Sequence, residues 1–222
     1  MADALERRQG APAACCGAAM IPSRRREPRT NEACSAETVA TLTRRARQEF
    51  ARSGYAGTSV EAIAAEVGLT KGAVYYHFGS KAGVFEVVLR DVQRDIVQRI
   101  EQRASAVADP ARSVIAGCEA FVDVALDDEL RQIALVDGPA VLGWSKWRAI
   151  DGEYGLGSLK AGLRACGKQA LGPIEVDALA HLISGALNEA VFFVVEAEDR
   201  QAAHARLGPT LRAFLTALIA TA

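Results

Sequence analysis

The chain has 222 residues, 50% apolar and 24% charged, with a formal net charge of −1. That length allows one or two compact domains, and ordinary Gly and Pro usage excludes a collagen-like, low-complexity or wholly disordered chain. No apolar run reads as reaching the ~18 residues of a membrane span, and Ala11 to Met20 lacks the apolar core of a signal peptide, so a soluble, cytoplasmic protein is expected.

Residues 1–35 hold three prolines and the cluster Arg24, Arg25, Arg26 and Arg29, without apolar periodicity. They read as a disordered basic tail, with an arm following DNA phosphates as the functional alternative. The five cysteines, at 15, 16, 34, 118 and 166, have neither disulfide nor zinc spacing. Neither a metal nor a cofactor is expected. The first hundred residues are net basic and the remainder net acidic, which points any polyanion contact to the N-terminal half.

From Ala36 the pattern is helical. Val39, Leu42, Ala46 and Phe50 recur on one face, with Arg44, Arg45 and Arg47 elsewhere, and Gly54 stands where a glycine should end the helix. Thr58-Ser59-Val60-Glu61 reads as a capping box opening a short helix that Gly68 closes. Thr70 caps a helix from Lys71 to Phe78, Gly79-Ser80 breaks and recaps, and a long helix follows from Lys81. Asp109-Pro110 starts the next helix. A shorter one from Asp127 is punctuated by Asp137-Gly138-Pro139, and glycines blur the boundaries over 140–168. An apolar helix follows Pro173. The last helix carries Leu211, Phe214 and Leu218, with a kink or late start expected at Gly208-Pro209. Strand alternation is absent. The fold class is all-α, with about nine helices.

The segment from Thr58 to Lys81 carries the function. Two short helices joined by a turn at Gly68 make a helix-turn-helix, spanning about residues 59–78, whose second helix can enter a major groove. Gly72 and Ala73 permit close approach to base edges, while Tyr75, Tyr76, His77, Lys71 and Lys81 supply donors and positive charge. On spacing alone, a helical hairpin with its Tyr and His in a core remains open. The second half carries no catalytic constellation, so an enzyme is not expected.

The stretch from Arg45 to Phe85 resembles the DNA-binding domain of the tetracycline-repressor (TetR) family of transcriptional regulators. The carriers are Phe50-Ala51-Arg52-Ser53-Gly54-Tyr55, Thr58-Ser59-Val60, Ile63-Ala64, Gly68-Leu69-Thr70-Lys71-Gly72, Tyr75-Tyr76-His77-Phe78 and Ser80-Lys81. The resemblance implies a homodimer with a helix-turn-helix domain over 36–96 and an effector-binding and dimerisation domain over 97–222. It implies bases facing Lys71, Gly72, Ala73 and Tyr75, and phosphates facing Thr58, Ser59, Thr70, Tyr76, His77 and Lys81. The partners implied are a palindromic double-stranded operator, a second copy of the chain and a small-molecule effector that releases the repressor. The long helix from Lys81 to about Arg103 would carry the coupling.

Phe121, Trp144, Trp147, His181 and Asn188 are the candidate effector contacts, with core packing as the alternative for the tryptophans and for His181 and Asn188. Ile183, Leu187, Val191 and Val194, with Leu211, Phe214 and Leu218, are the candidate dimer face. A helical sensor or carrier that does not bind DNA is the alternative function.

Overall fold

The computed structural model describes residues 31–171 and 175–220, with side chains over 37–167 and 175–219. The basic-arm expectation for residues 1–30 lies outside the described residues. Helix α1 (Asn31–Gly57) begins inside the segment read as a tail. It is followed by α2 (Val60–Glu66), α3 (Lys71–Phe78), α4 (Lys81–Ser105) and α5 (Pro110–Asp123). Short helices α6 (Asp128–Leu130), α7 (Gly138–Leu142) and α8 (Trp144–Asp151) lead to α9 (Gly157–Leu171), α10 (Val176–Val195) and α11 (Arg200–Ala220). Wider π-helical stretches, Arg131–Asp137 and Gly152–Leu156, join α6 to α7 and α8 to α9. The described residues therefore form nine helical runs and no strand, and glycines at positive φ interrupt two of them, Gly54 in α1 and Gly167 in α9.

Local chemistry sets the starts. Ser59, Thr70, Ser80 and Asp109 each accept a hydrogen bond from the amide three residues on, satisfying a donor left free at a helix N-terminus. Thr58 does not share the capping. Its hydroxyl donates to the Gly54 carbonyl at 2.8 Å, and the residue is buried.

Tertiary context overrides one sequence signal. Asp137-Gly138-Pro139 does not break the chain into separate helices. The helix passes from the π register into α7, with Pro139 at the change of register, where its missing N–H omits one bond to the preceding turn. The break comes at Gly143, φ 77°. Likewise α11 starts at Arg200 and carries Pro209 inside it.

Three helices and the start of α4 enclose one end of the core. Phe50 meets Phe85 edge-on at 5.1 Å, and Tyr55 meets Phe85 at 5.4 Å, separations favoured for aromatic pairs. Val60, Ile63, Val74, Val84 and Val88 close around them. Gly83 allows the tight α3–α4 corner: a Cβ there would lie 1.9 Å from the Phe78 carbonyl oxygen. Helix α4 then runs unbroken into the second half, across the expected boundary at residue 96, and packs on α5.

Helix α10, Val176–Val195, is by length and composition apolar enough to cross a membrane, contrary to the sequence reading. Leu179, Ala180, Ile183, Leu187, Val191 and Val194 bury it against the rest of the chain, so its apolar character is largely used in the core.

Candidate functional site

Helices α2 and α3 are joined through Gly68, whose φ of 72° suits a residue without Cβ. Helix α3 is anchored by Val74, fully buried, and turns its other side outward. Tyr76 is 86% exposed. Gly72 and His77 are exposed, while Ala73 and Tyr75 are half-buried. Thr70 accepts from the Ala73 amide at 3.2 Å, so its hydroxyl proton remains free to donate. On α3 Lys71, Gly72, Tyr76 and His77 are thus exposed and Ala73 and Tyr75 half-buried, with Ser59 and Thr70 at the starts of α2 and α3. Thr58 stands apart because its hydroxyl is turned inward. Lys81 lies at the start of α4 with its ammonium 4.5 Å from the centroid of the Tyr55 ring, a cation–π contact.

Glu61 is the unexpected member of this surface. Its carboxylate pairs with Lys71 Nζ at 2.8 Å and accepts from Ser59 Oγ at 3.2 Å. The Lys71 contact, then its own backbone amide and Ser59, hold its carboxyl down at about 2. An acidic group therefore occupies two of the side chains expected to meet DNA.

The head is fastened to the body at two places. Asp137 Oδ2 accepts the Tyr55 backbone N–H at 2.8 Å and the Gln132 amide at 3.1 Å. Arg47 sits among Asp91, Asp95 and Glu129, with N···O distances of 2.6–2.8 Å. Burial alone would lower the Arg47 guanidinium, but the three carboxylates together raise it above its ordinary value.

A cavity of about 260 Å³ lies between α4, α5, α9 and α10. Ile100 and Ala104 wall it from α4, Val114, Cys118 and Phe121 from α5, Leu159 from α9 and Leu187 from α10. Asp151, from the end of α8, reaches its wall beside Ser184.

Of the sequence-predicted effector contacts, only Phe121 lines this space. Trp147 is fully buried elsewhere, its Nε1–H donating to the Ala134 carbonyl at 2.7 Å. Trp144 is 57% exposed, and His181 is exposed. Asn188 is buried outside the cavity lining.

The expected dimer face is also corrected. Ile183, Val191 and Val194 are buried in the chain's own core, and Leu187 is taken up by the cavity wall. Leu211 is buried, Leu218 is half-buried and Phe214 is exposed. The large apolar side chains left outside on α10 are Leu182 and Phe193.

Arg47 and Asp151 were missed because single charged residues between apolar ones read as solvated surface, while Glu61 read as part of a capping box and Asp137 as a helix breaker. The Asp91/Asp95 pair, one turn apart on α4, was the available signal for a buried cation partner.

Two family models match: "Bacterial regulatory proteins, tetR family" over residues 42–88, and "Tetracyclin repressor-like, C-terminal domain" over residues 111–218. A TetR-family regulator of Pectobacterium atrosepticum is 32% identical, with a TM-score of 0.75, covering 86% of this chain and 98% of that one. The regulator BetI of Paraburkholderia xenovorans strain LB400 is 36% identical over 69 residues, 29% of this chain. The match spans only 35% of that relative. FadR of Bacillus subtilis, solved with stearoyl-CoA, shares the fold at 19% identity and a TM-score of 0.63, covering 81% and 98% of the two chains.

Proposed function

Because the chain belongs to the TetR family of bacterial transcriptional regulators, we propose that it is a cytoplasmic, homodimeric repressor that leaves its operator when a small molecule fills the cavity. The observation that carries this reading is the division of α3, with Val74 anchored in the core and Gly72, Tyr76 and His77 outside. Lys71, Gly72, Ala73 and Tyr75 read bases, while Ser59, Thr70, Tyr76, His77 and Lys81 contact phosphates. A helix presented this way fits a major groove. Two copies bind a palindrome with half-sites about 34–36 Å apart or a multiple of that.

The dimer face on this reading is α10 with α11, through Leu182, Phe193, Phe214 and Leu218. Three of these are among the few large apolar side chains left exposed, and exposed apolar patches mark interaction surfaces.

Release follows from what α4 touches. One end of α4 forms the α3–α4 corner, and Ile100 and Ala104 near the other wall the cavity. Occupancy that shifts α4 moves the reading helix, and the coupling is reciprocal, so DNA weakens ligand binding by the same factor. A second link runs from Asp151 along α8 to Trp147, across to Gly138, and through Asp137 to the Tyr55 amide. Stearoyl-CoA, the ligand of a relative at 19% identity, is not carried over to this chain; no basic residue stands among the described residues that line the cavity.

Footprinting of the DNA upstream of the gene tests the proposal. A symmetric protected site, lost with rising salt, is the expected result. No salt-dependent binding to that DNA or to a selected palindrome would leave the chain a sensor or carrier without a DNA role.

A further inference from the structure

The cavity wall is largely apolar, with Ser113, Ser158 and Ser184 as its hydroxyls and one carboxylate, Asp151. Asp151 is 6% exposed and forms part of the wall. Its carboxylate is met by the Arg148 guanidinium. Arg148 also donates to Ser184 Oγ at 2.9 Å. Arg148 is therefore committed, while the Ser184 hydroxyl that accepts from it keeps its own proton free. The Asp151 carboxylate keeps acceptor capacity as well. A carboxylate offers about four lone-pair sites, of which the Arg148 guanidinium takes only a part.

Charge narrows the choice further. Arg148 and Asp151 compensate each other. From α4, α5, α9 and α10 the wall receives uncharged residues, the titratable one being Cys118. Burial pushes the Cys118 thiol up to about 12, so it is neutral at physiological pH. An anionic head would meet Asp151 with no uncommitted cation, and a cationic head would have to displace Arg148. Burying an unpaired charge is costly in either case. Size sets the last limit. At about 260 Å³ the cavity lies just below the ~300–1,000 Å³ of typical ligand pockets, so it suits a small molecule.

We propose that the cavity takes a small, uncharged, largely apolar molecule with a hydrogen-bond-donating head, such as a hydroxyl, and that Asp151 accepts from that head. This rests on the effector-cavity reading above, and it names the chemical class of the ligand and the residue that selects it.

The test uses the purified full chain and two matched probe sets. Octanol, heptyl methyl ether, octanoate and octylammonium share a chain, while para-ethylphenol and para-ethylanisole share a ring. Binding is read by calorimetry. On at least one scaffold, the hydroxyl compound binds about tenfold or more tighter than its ether, the loss expected for one good hydrogen bond. Octanoate and octylammonium bind more weakly than octanol. In Asp151→Asn, which keeps the shape but not the carboxylate, the preference for hydroxyl over ether drops at least threefold.

A preference for octanoate or octylammonium overturns the proposal. So does equal binding of alcohol and ether on both scaffolds, or failure of both hydroxyl probes at roughly 1 mM. These comparisons use the unaltered chain, so they stand even if the variant does not fold. Footprinting on the ligand-free chain separates the two levels. Operator binding with the wrong ligand preference refutes only this inference. The right preference without any DNA binding refutes only the regulator reading.

Discussion

Replacing Gly138 by alanine pits helix propensity against packing. The residue is helical, φ −50° and ψ −61°, so by propensity alone alanine would stabilise it by about 1 kcal/mol. Its new Cβ, however, would lie 2.7 Å from Trp147 Cδ1, 2.9 Å from Nε1 and 3.2 Å from the Ile133 carbonyl oxygen. Carbon pairs pack best at about 3.5–4.0 Å. Trp147 has nowhere to retreat, being fully buried, hydrogen-bonded to Ala134 and packed 6.1 Å from the Phe192 ring. Overpacking costs about 1–3 kcal/mol, and a stretched indole hydrogen bond adds about 1 kcal/mol. Packing wins, with a net loss of about 1–3 kcal/mol. For a chain of this size that lowers Tm by roughly 2–4 °C per kcal/mol. Gly157→Ala is the control: φ −63°, ψ −46°, and nothing within 4 Å of its Cβ. It should gain up to about 1 kcal/mol. Both are measured by thermal and urea denaturation at one protein concentration, because dimerisation contributes to apparent stability. If Gly138→Ala matches or exceeds the parent while Trp fluorescence is unchanged, the reasoning from the close contact is refuted.

Three further outcomes are expected. Lys81→Ala should flatten the plot of log K against log salt by about one unit, whereas Glu61→Gln should tighten DNA binding by freeing Lys71 and Ser59; an unchanged affinity in Glu61→Gln would show that the pair does not compete with DNA. Phe214→Arg should split the dimer by sedimentation while helical circular dichroism persists, since its side chain is 44% exposed; a variant that stays dimeric moves the interface elsewhere. Burial raises the Asp151 carboxyl above its ordinary value, against the lowering effects of Arg148 and Asn188. The folded state therefore holds that proton more tightly than the unfolded chain, and the stability it contributes falls as pH rises from about 4 through the raised value. The Tm difference, Asp151→Asn minus parent, should accordingly grow more positive from about pH 4 to pH 7, and a flat difference would contradict the shift.

Helix starts, the helix-turn-helix and the family were legible because each is written in a few neighbouring residues. Ser59, Thr70, Ser80 and Asp109 cap through bonds that reach three residues along the chain, and Gly68 needs only its own φ. The exposed face of α3 was readable for the same reason. Only Val74 among its residues had to be buried.

Which side of a body helix meets which neighbour was not written locally. Helix α10 is apolar on nearly every face, so periodicity could not tell Ile183, turned into the core, from Leu182, 71% exposed beside it. Trp144 and Trp147 lie three apart and have opposite fates, because a glycine at 138 leaves space for the second ring alone. Arg47 reads as surface until carboxylates 44 and 82 residues further on close around it, and Asp137 reads as a helix breaker until the Tyr55 amide reaches it. The sequence by itself determined the elements and the DNA-reading head, since capping, turn geometry and helical period act within one turn of chain. The cavity, its acidic end and the outward faces of α10 and α11 were decided by tertiary structure, because burial and charge pairing depend on which distant segments arrive.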